Sequence, residues 1–552
     1  MEAHGKKPIL IVGRHNEYLR DLLKSEGIIA DVSDRLTSTL QRYKLTLIND
    51  IEFDKSEEAE FDVFCKNKGN LIILNPQGQL AKIIGLSVGK KIEKTRIVVN
   101  KLKCQVMDAI FYNSVNAIYR SEDSKPLIFS VRYGNCQPVV FSFDLLKSIY
   151  FLSHGFDSKF DKDGIARADV KTIVADDERL YPQADILVRC LVALIEKQIN
   201  MPRFWYFPHK KKCGIIFSHD SDNATNYDLR KISRLNNDQG ISTTTFLLLK
   251  TGTPNCWKEI KKFQEVQLHQ AYMYFPNKGN LGLIGNKISL NPVLGQFQKT
   301  LLYAEKFFLS KILRKEIVGI RNHGLVLYKW NNVIRWMRNA NLKFDSSLGS
   351  SKNYGYLYGH GLPHFLRFNN YDSSNVLEFP LHFMDYVAYV KLGKTSKNRK
   401  NIHSYEKIRK LLYQFIDIGL KFNSLLTFDF HYIFLKDKEI MRLYLDVINY
   451  AKKRGLLVNN MSYFYDFWMK RNKVETEYVE IQDYFLKYNV KSLNNIEGFS
   501  QIVPIEFRSK KLKDVKLGSK KIKYEEMNIT GKAYALFEFD LGKEANLEVN
   551  YG

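Results

Sequence analysis

Residues 212–249 carry an apolar run, Gly214-Ile-Ile-Phe217, that passes directly into Ser218-His-Asp-Ser-Asp222; a helix-compatible segment and a second apolar run, Thr245-Phe-Leu-Leu-Leu249, follow. A short continuous apolar run bounded by polar residues reads as a buried strand. Strand, helix and strand in that order form the repeat of a β/α fold, which does its chemistry at the carboxyl ends of its strands. Asp220 and Asp222 stand at such an end. Two carboxylates this close can divide the work of proton acceptor and metal ligand, because a cation near both keeps them ionised. Taken alone, Asp-x-Asp equally describes a polar loop capping the next helix.

The pattern then recurs. Val266-Gln-Leu leads to His269, Ile317-Val-Gly-Ile320 to Arg321-Asn-His323, Leu342-Lys-Phe to Asp345, and Leu425-Leu-Thr-Phe-Asp-Phe to His431, while Val376-Leu-Glu-Phe-Pro380 precedes Asp385. Helical patterns over 301–313, 332–340, 404–420 and 439–453 lie among these runs. Each polar residue singly has a structural explanation, as a satisfied core histidine or a helix cap. Their repetition at successive strand ends predicts an α/β barrel with a site converging at one mouth.

Length and patterning place other domains on either side. At 552 residues the chain exceeds what one hydrophobic core organises. Residues 1–199 alternate short apolar runs (9–13, 45–48, 71–74, 95–99) with helical stretches, as in an open α/β sheet. An antiparallel pair is expected at 128–132 and 139–143, and an amphipathic helix at 184–199. Gly13 lacks the Gly-rich turn of a dinucleotide fold, and Ile72-Ile-Leu-Asn-Pro-Gln-Gly78 offers no nucleophile at its turn, so this domain reads as non-catalytic. Pro202-Arg-Phe-Trp-Tyr-Phe-Pro208 reads as a rigid packed connector, with an aromatic sugar platform as the alternative. The barrel part, 200–475, is followed by a linker and short alternating runs in 476–552, expected to form a small β-sandwich.

Composition narrows the partners. Lys and Arg number 84 against 59 Asp and Glu, a net charge of +25, but the lysines fall in short groups along the whole chain. That distribution favours solubility over a specific nucleic-acid stripe. The six cysteines never approach Cys-x-x-Cys spacing, which excludes a zinc knuckle and does not read as a disulfide framework. No run reaches the length of a membrane span, and residues 8–12 are too brief for a signal-peptide core, so a cytoplasmic location is the expectation. Oligomeric state is left open.

Phe217-Ser-His-Asp-Ser-Asp222, Leu268-His269, Gly319-Ile-Arg-Asn-His323 and 425–431 together resemble, in order and spacing, the motifs of the polysaccharide deacetylase family with its NodB-homology barrel. Ala184-Asp185, 202–208, 341–347 and Gly359-His-Gly-Leu-Pro363 resemble a branch of that family with an N-terminal amidotransferase-like α/β domain. The resemblance implies a distorted (β/α) barrel and a metal-dependent hydrolase, using a divalent metal, usually zinc, to remove N-acetyl or similar acyl groups from a carbohydrate. It implies Asp220 as base, His431 as acid, Arg321 as the group orienting Asp220 or a nearby carboxylate, and Asp222, His269 and His323 as metal ligands. Asp345, His360, His364 and Asp385 are assigned to substrate binding. The family's second metal-motif histidine is replaced here by Tyr272 and Met273, so a degenerate, carbohydrate-binding relative is the alternative.

Overall fold

The computed structural model describes residues 7–36, 42–51, 54–67, 69–112, 115–154, 166–167, 178–271, 291–327, 330–395, 402–482 and 484–552. Tyr272 and Met273 lie outside them. The chain divides into two compact units: residues 1–153, 183–210 and 467–552 form one, and residues 154–182 and 211–466 the other.

The first unit contains an open mixed sheet. Strands Ile9–Gly13, Leu45–Asn49 and Asn70–Leu74 pair in parallel, and Pro126–Ser130 pairs antiparallel with Val139–Phe141, the expected late pair. Val88–Val99 and Leu102–Tyr112 form a long hairpin. The helix Gln183–Gln198 departs from the amphipathic expectation: it is buried almost all round, including Asp185, Arg189 and Glu196. A helix without a solvent face must neutralise its charges internally. Accordingly, Arg189 Nε bonds Glu26 Oε1 at 3.0 Å, and Arg203 reaches both Glu26 and Glu196. Trp205, Tyr206 and Phe207 are each 1% exposed, which removes the sugar-platform alternative and leaves packing.

In the same unit, residues 475–551 build two antiparallel sheets. Alternate residues such as Leu486, Tyr488, Val490, Val515, Phe537, Leu547 and Val549 turn inward to a shared core, the signature of a sandwich. The six cysteines are buried.

The second unit is the distorted barrel. Its sheet runs, in spatial order, His364–Arg367, Ser373–Glu378, Phe344–Asp345, Gly319–Asn322, Glu265–Gln270, Thr244–Leu247, Gly214–Asp220, Leu425–Asp429 and Phe383–Met384, with Leu457–Val458 also beside Gly214–Asp220. Every pairing is parallel except that of the hairpin His364–Arg367 with Ser373–Glu378. Ser373–Glu378 and Phe383–Met384 sit near opposite edges of this order, yet only residues 379–382 join them. The five Cα–Cα steps from Glu378 to Phe383 reach roughly 17 Å at most, so the sheet must curl until its edges approach without pairing. Phe217, Phe383, Phe415 and Phe428, each at most 2% exposed, pack between the sheet and its outer helices, and helices such as Tyr405–Phe422 and Lys438–Lys453 cover the outside with amphipathic faces. Among the described residues, no helix is long and apolar enough to cross a membrane.

Candidate metal centre

Period two along each strand decides which side chains meet. On Gly214–Asp220, Ser218 and Asp220 share one face, and His219 turns the other way, where its Nδ1 donates to the Phe430 carbonyl at 2.7 Å and Nε2 lies 3.0 Å from Asn236 Nδ2. His269 stands on Glu265–Gln270, Arg321 on Gly319–Asn322 with His323 just beyond it, and Asp429 ends Leu425–Asp429, two residues before His431. Parallel pairing brings all these ends to one mouth; Ser218 is opposite Asp429, and His269 opposite Arg321.

Three groups close around one point. Asp222 Oδ1 lies 3.6 Å from His269 Nε2 and 3.3 Å from His323 Nε2, and the two imidazoles stand edge to face at 5.3 Å. His269 Nδ1 is 3.0 Å from the Arg321 carbonyl oxygen. A carbonyl only accepts, so Nδ1 carries the proton and the neutral ring presents the Nε2 lone pair. That Nε2 is fully buried and has no hydrogen-bond partner, since 3.6 Å is too long for one. An orphaned imidazole nitrogen facing a carboxylate and a second imidazole fits a divalent cation, and the Nδ1–carbonyl contact is the outer support such ligands ordinarily have. Burial lowers the proton affinity of His269, but Asp220 and then Asp222 more than reverse it, so positive charge is favoured at this nitrogen. Asp222 is held well below the usual carboxylate range, its burial outweighed by His269, His323 and His431.

A second cluster, Asp220, Asp429 and His431, also gathers donors within 4.8 Å. It already holds a cation. Arg321, fully buried, places Nη1 2.9 Å from Asp220 Oδ1 and 2.6 Å from Asp429 Oδ1, while Nε and Nη2 donate to Ser346 O and Oγ at 2.9 Å. Its guanidinium carbon lies 4.3 Å from the Phe246 ring centroid, a cation–π contact. A metal ion there would face this guanidinium, which makes the Asp222 cluster the better site. Burial pushes Asp220 up, but Arg321 and the histidines hold it below its ordinary value, whereas burial and then the Asp220 charge push Asp429 up to about 7.

His431 Nδ1 bonds Asp385 Oδ1 at 2.7 Å and lies 3.3 Å from Asp429 Oδ2, while its backbone N–H donates to Asp385 Oδ2 at 2.8 Å. Its Nε2 points toward the centre, 3.9 Å from Asp222 Oδ2. Burial lowers the imidazole, and the Asp385 and Asp429 charges raise it well above its ordinary value. A cleft of about 330 Å³ opens here, lined by Asp220, Asp222, His323 and His431 and by Leu325, Met384, Tyr386 and Phe434.

Asp220, Asp222, His269, Arg321, His323 and His431 are thus brought together. The four expected substrate contacts are not among the residues lining this cleft. Asp385 is fully buried and spends both oxygens on His431. Asp345, buried and raised to about 6, accepts from Ser347 Oγ and faces Glu378 across the parallel pair. His360 and His364 stack on each other at 4.0 Å, and His364 also meets His154 edge to face. Asp345 is opposite Ile320, whose side chain turns away from the face that carries Arg321. The residue that sequence reading left unassigned is Asp429; its place at the polar end of the apolar run 425–428, two residues before His431, was the available sign.

No protein-family model matches the sequence, and no curated protein matches it. Solved structures give weak, partial likenesses to deacetylase-type folds. A Mycobacterium smegmatis protein described as a polysaccharide deacetylase is 13% identical, with 48% of this chain and 92% of that chain covered at a TM-score of 0.35. PuuE allantoinase is 11% identical, with 48% and 92% covered at 0.33. A BA3943 mutant, described as a CE4-family pseudoenzyme with restored enzymatic activity, is 12% identical, with 47% and 69% covered at 0.27. Scores this low carry no argument about activity, and none of these likenesses bears on an amidotransferase-like branch.

Proposed function

We propose that this protein is a metal-dependent hydrolase that removes N-acetyl or similar acyl groups from a carbohydrate. The observation supporting this is the orphaned, buried Nε2 of His269 facing Asp222 and His323, with Asp220 beside it at 3.7 Å and the Asp385-backed His431 across the cleft. Asp222, His269 and His323 would hold the cation; one carboxylate and two imidazoles suit zinc, cobalt or nickel better than magnesium. Such a cation polarises an acyl carbonyl and acidifies water.

The chain's own groups divide the proton work. Asp220, kept ionised by Arg321, is the acceptor for a proton leaving attacking water. His431 holds one N–H toward Asp385, and its raised proton affinity keeps a second on Nε2, which faces the cleft and can protonate a departing amine. Arg321 fixes the Asp220 carboxylate and takes no part in proton transfer, since its pKa is raised further above an already high value by Asp220 and Asp429, against burial that lowers it.

Metal analysis of the purified chain, with acetate release from N-acetylated oligosaccharides after zinc or cobalt addition, tests this reading. Asp222→Ala and His269→Ala should lose metal uptake and activity together while remaining folded. Metal retention in both variants refutes the ligand assignment. Metal uptake without acyl release from any N-acylated saccharide would favour the carbohydrate-binding alternative.

A further inference from the structure

A second cleft, of about 390 Å³, lies in the barrel unit and is lined by Asn331, Arg335, Arg338, Phe368, Asn369, Asn370 and Asp372. Arg335 and Arg338 come from the helix Trp330–Asn339. Three residues apart, they share a face and place two like charges side by side, an arrangement that costs stability on an isolated helix. Neither guanidinium has an ion-pair or hydrogen-bond partner among the described residues; both instead lie over the half-buried Phe368 ring, at 5.9 and 5.2 Å. The rest of the wall is a turn whose shape is set by its own bonds. Phe368 N–H donates to Asp372 O at 3.0 Å, Tyr371 N–H to Phe368 O at 2.8 Å, and Asn369 N–H to Asn331 Oδ1 at 3.1 Å. Asp372 accepts from Asn370 Nδ2 at 2.7 Å.

This turn joins His364–Arg367 to Ser373–Glu378 at the end remote from the mouth. Glu378, paired with Asp345, marks the mouth end, five residues further along the strand. At about 3.3 Å per residue, the turn lies roughly 17 Å from the mouth along the strand. The cleft is therefore separate from the metal centre.

We propose that this cleft binds an acidic sugar unit, one carrying a carboxylate, sulfate or phosphate. Two unpaired guanidiniums supply bidentate donors for the acid group, and the anion relieves their mutual repulsion. Asp372 can accept from sugar hydroxyls, and the Asn side chains can donate to them or accept from them. A bare anion would use the arginines and be repelled by Asp372, whereas a sugar acid engages both. Phe368 holds the two guanidiniums in place, which lowers the entropy lost on binding.

The test uses the full chain and isothermal titration with three probes: an oligogalacturonate, a chitooligosaccharide of the same length, and inorganic sulfate. The expected result is oligogalacturonate binding at least tenfold tighter than sulfate and than the neutral oligosaccharide. In Arg335→Ala/Arg338→Ala that binding should fall at least tenfold, with Arg335→Lys/Arg338→Lys between the two. In Asp222→Ala, which lacks the proposed metal site, it should be unchanged, so the two readings fail independently. Equal binding of oligogalacturonate by wild type and the double alanine variant overturns the proposal. So does loss of binding in Asp222→Ala, or equal affinity for acidic and neutral probes. A double variant whose circular dichroism shows misfolding is replaced by Arg335→Gln/Arg338→Gln, judged by the same criteria.

Discussion

Arg321→Ala would remove the one guanidinium between Asp220 and Asp429. The side chain is fully buried, donates to both carboxylates and to Ser346, and packs on Phe246. Removing one partner from a buried ion pair costs about 3–5 kcal/mol, because the remaining charges stay out of water with nothing opposite them. Net domain stability is about 5–15 kcal/mol, so this single change consumes a large share of it. The pH dependence distinguishes this cause from simple loss of packing. In the native chain Asp220 sits below its ordinary value, so its contribution is present above roughly pH 4 and is lost as pH falls through the folded pKa. Asp429, raised to about 7, works the other way: across roughly pH 4 to 7 the folded chain keeps a proton that the unfolded chain has released, and stability falls through that window. Without Arg321 both carboxyls move upward and the second behaviour dominates. The deficit of Arg321→Ala should therefore be largest near pH 8 and smallest near pH 5. Urea unfolding at three pH values, followed by tryptophan fluorescence, measures it; Trp257, Trp330 and Trp336 all belong to the barrel core. A deficit under about 1 kcal/mol at pH 8, or one that grows on acidification, would refute the reasoning.

Other perturbations read other parts of the site. In Asp385→Asn, His431 loses the charge that raises its proton affinity, so the alkaline limb of the pH–rate profile should move to lower pH, with kcat down by roughly 10²–10⁴; an unmoved limb removes His431 from the acid role. The same variant should lose stability mainly below the folded His431 pKa, where the native imidazolium is paired, and unfolding curves at pH 6 and 9 would show it. Zinc at about a hundred times its Kd should raise stability by about 2.7 kcal/mol in the wild type and leave Asp222→Ala unmoved, measured by thermal shift. Phe428→Ala, in a fully buried position among Phe217, Phe383 and Phe415, should cost about 3–5 kcal/mol in denaturant titration.

Much of the barrel was legible because its strands announce themselves locally. Gly214–Asp220 and Leu425–Asp429 are short apolar runs with polar termini, and the site residues Asp222, His269, Arg321, His323 and His431 all follow from reading what ends each run. The exceptions have a common cause. Asp385 follows the two-residue strand Phe383–Met384, too short to show a period, and its partnership with His431 depends on that strand crossing to pair with Leu425–Asp429. The helix Gln183–Gln198 carries an apolar stripe typical of a surface helix; its burial on all sides required partners, Glu26 and Arg203, distant in sequence or outside the helix.

Local chemistry along the chain specifies where strands and helices form, because apolar period and capping act over a few residues. It also supplies the acids, bases and imidazoles that a mouth of this kind needs. Which of them face a common centre is a matter of register across parallel neighbours, and a shift of one residue would turn each side chain to the opposite face. Ser218 against Asp429 and His269 against Arg321 are such registers. They leave the His269 nitrogen bare beside Asp222.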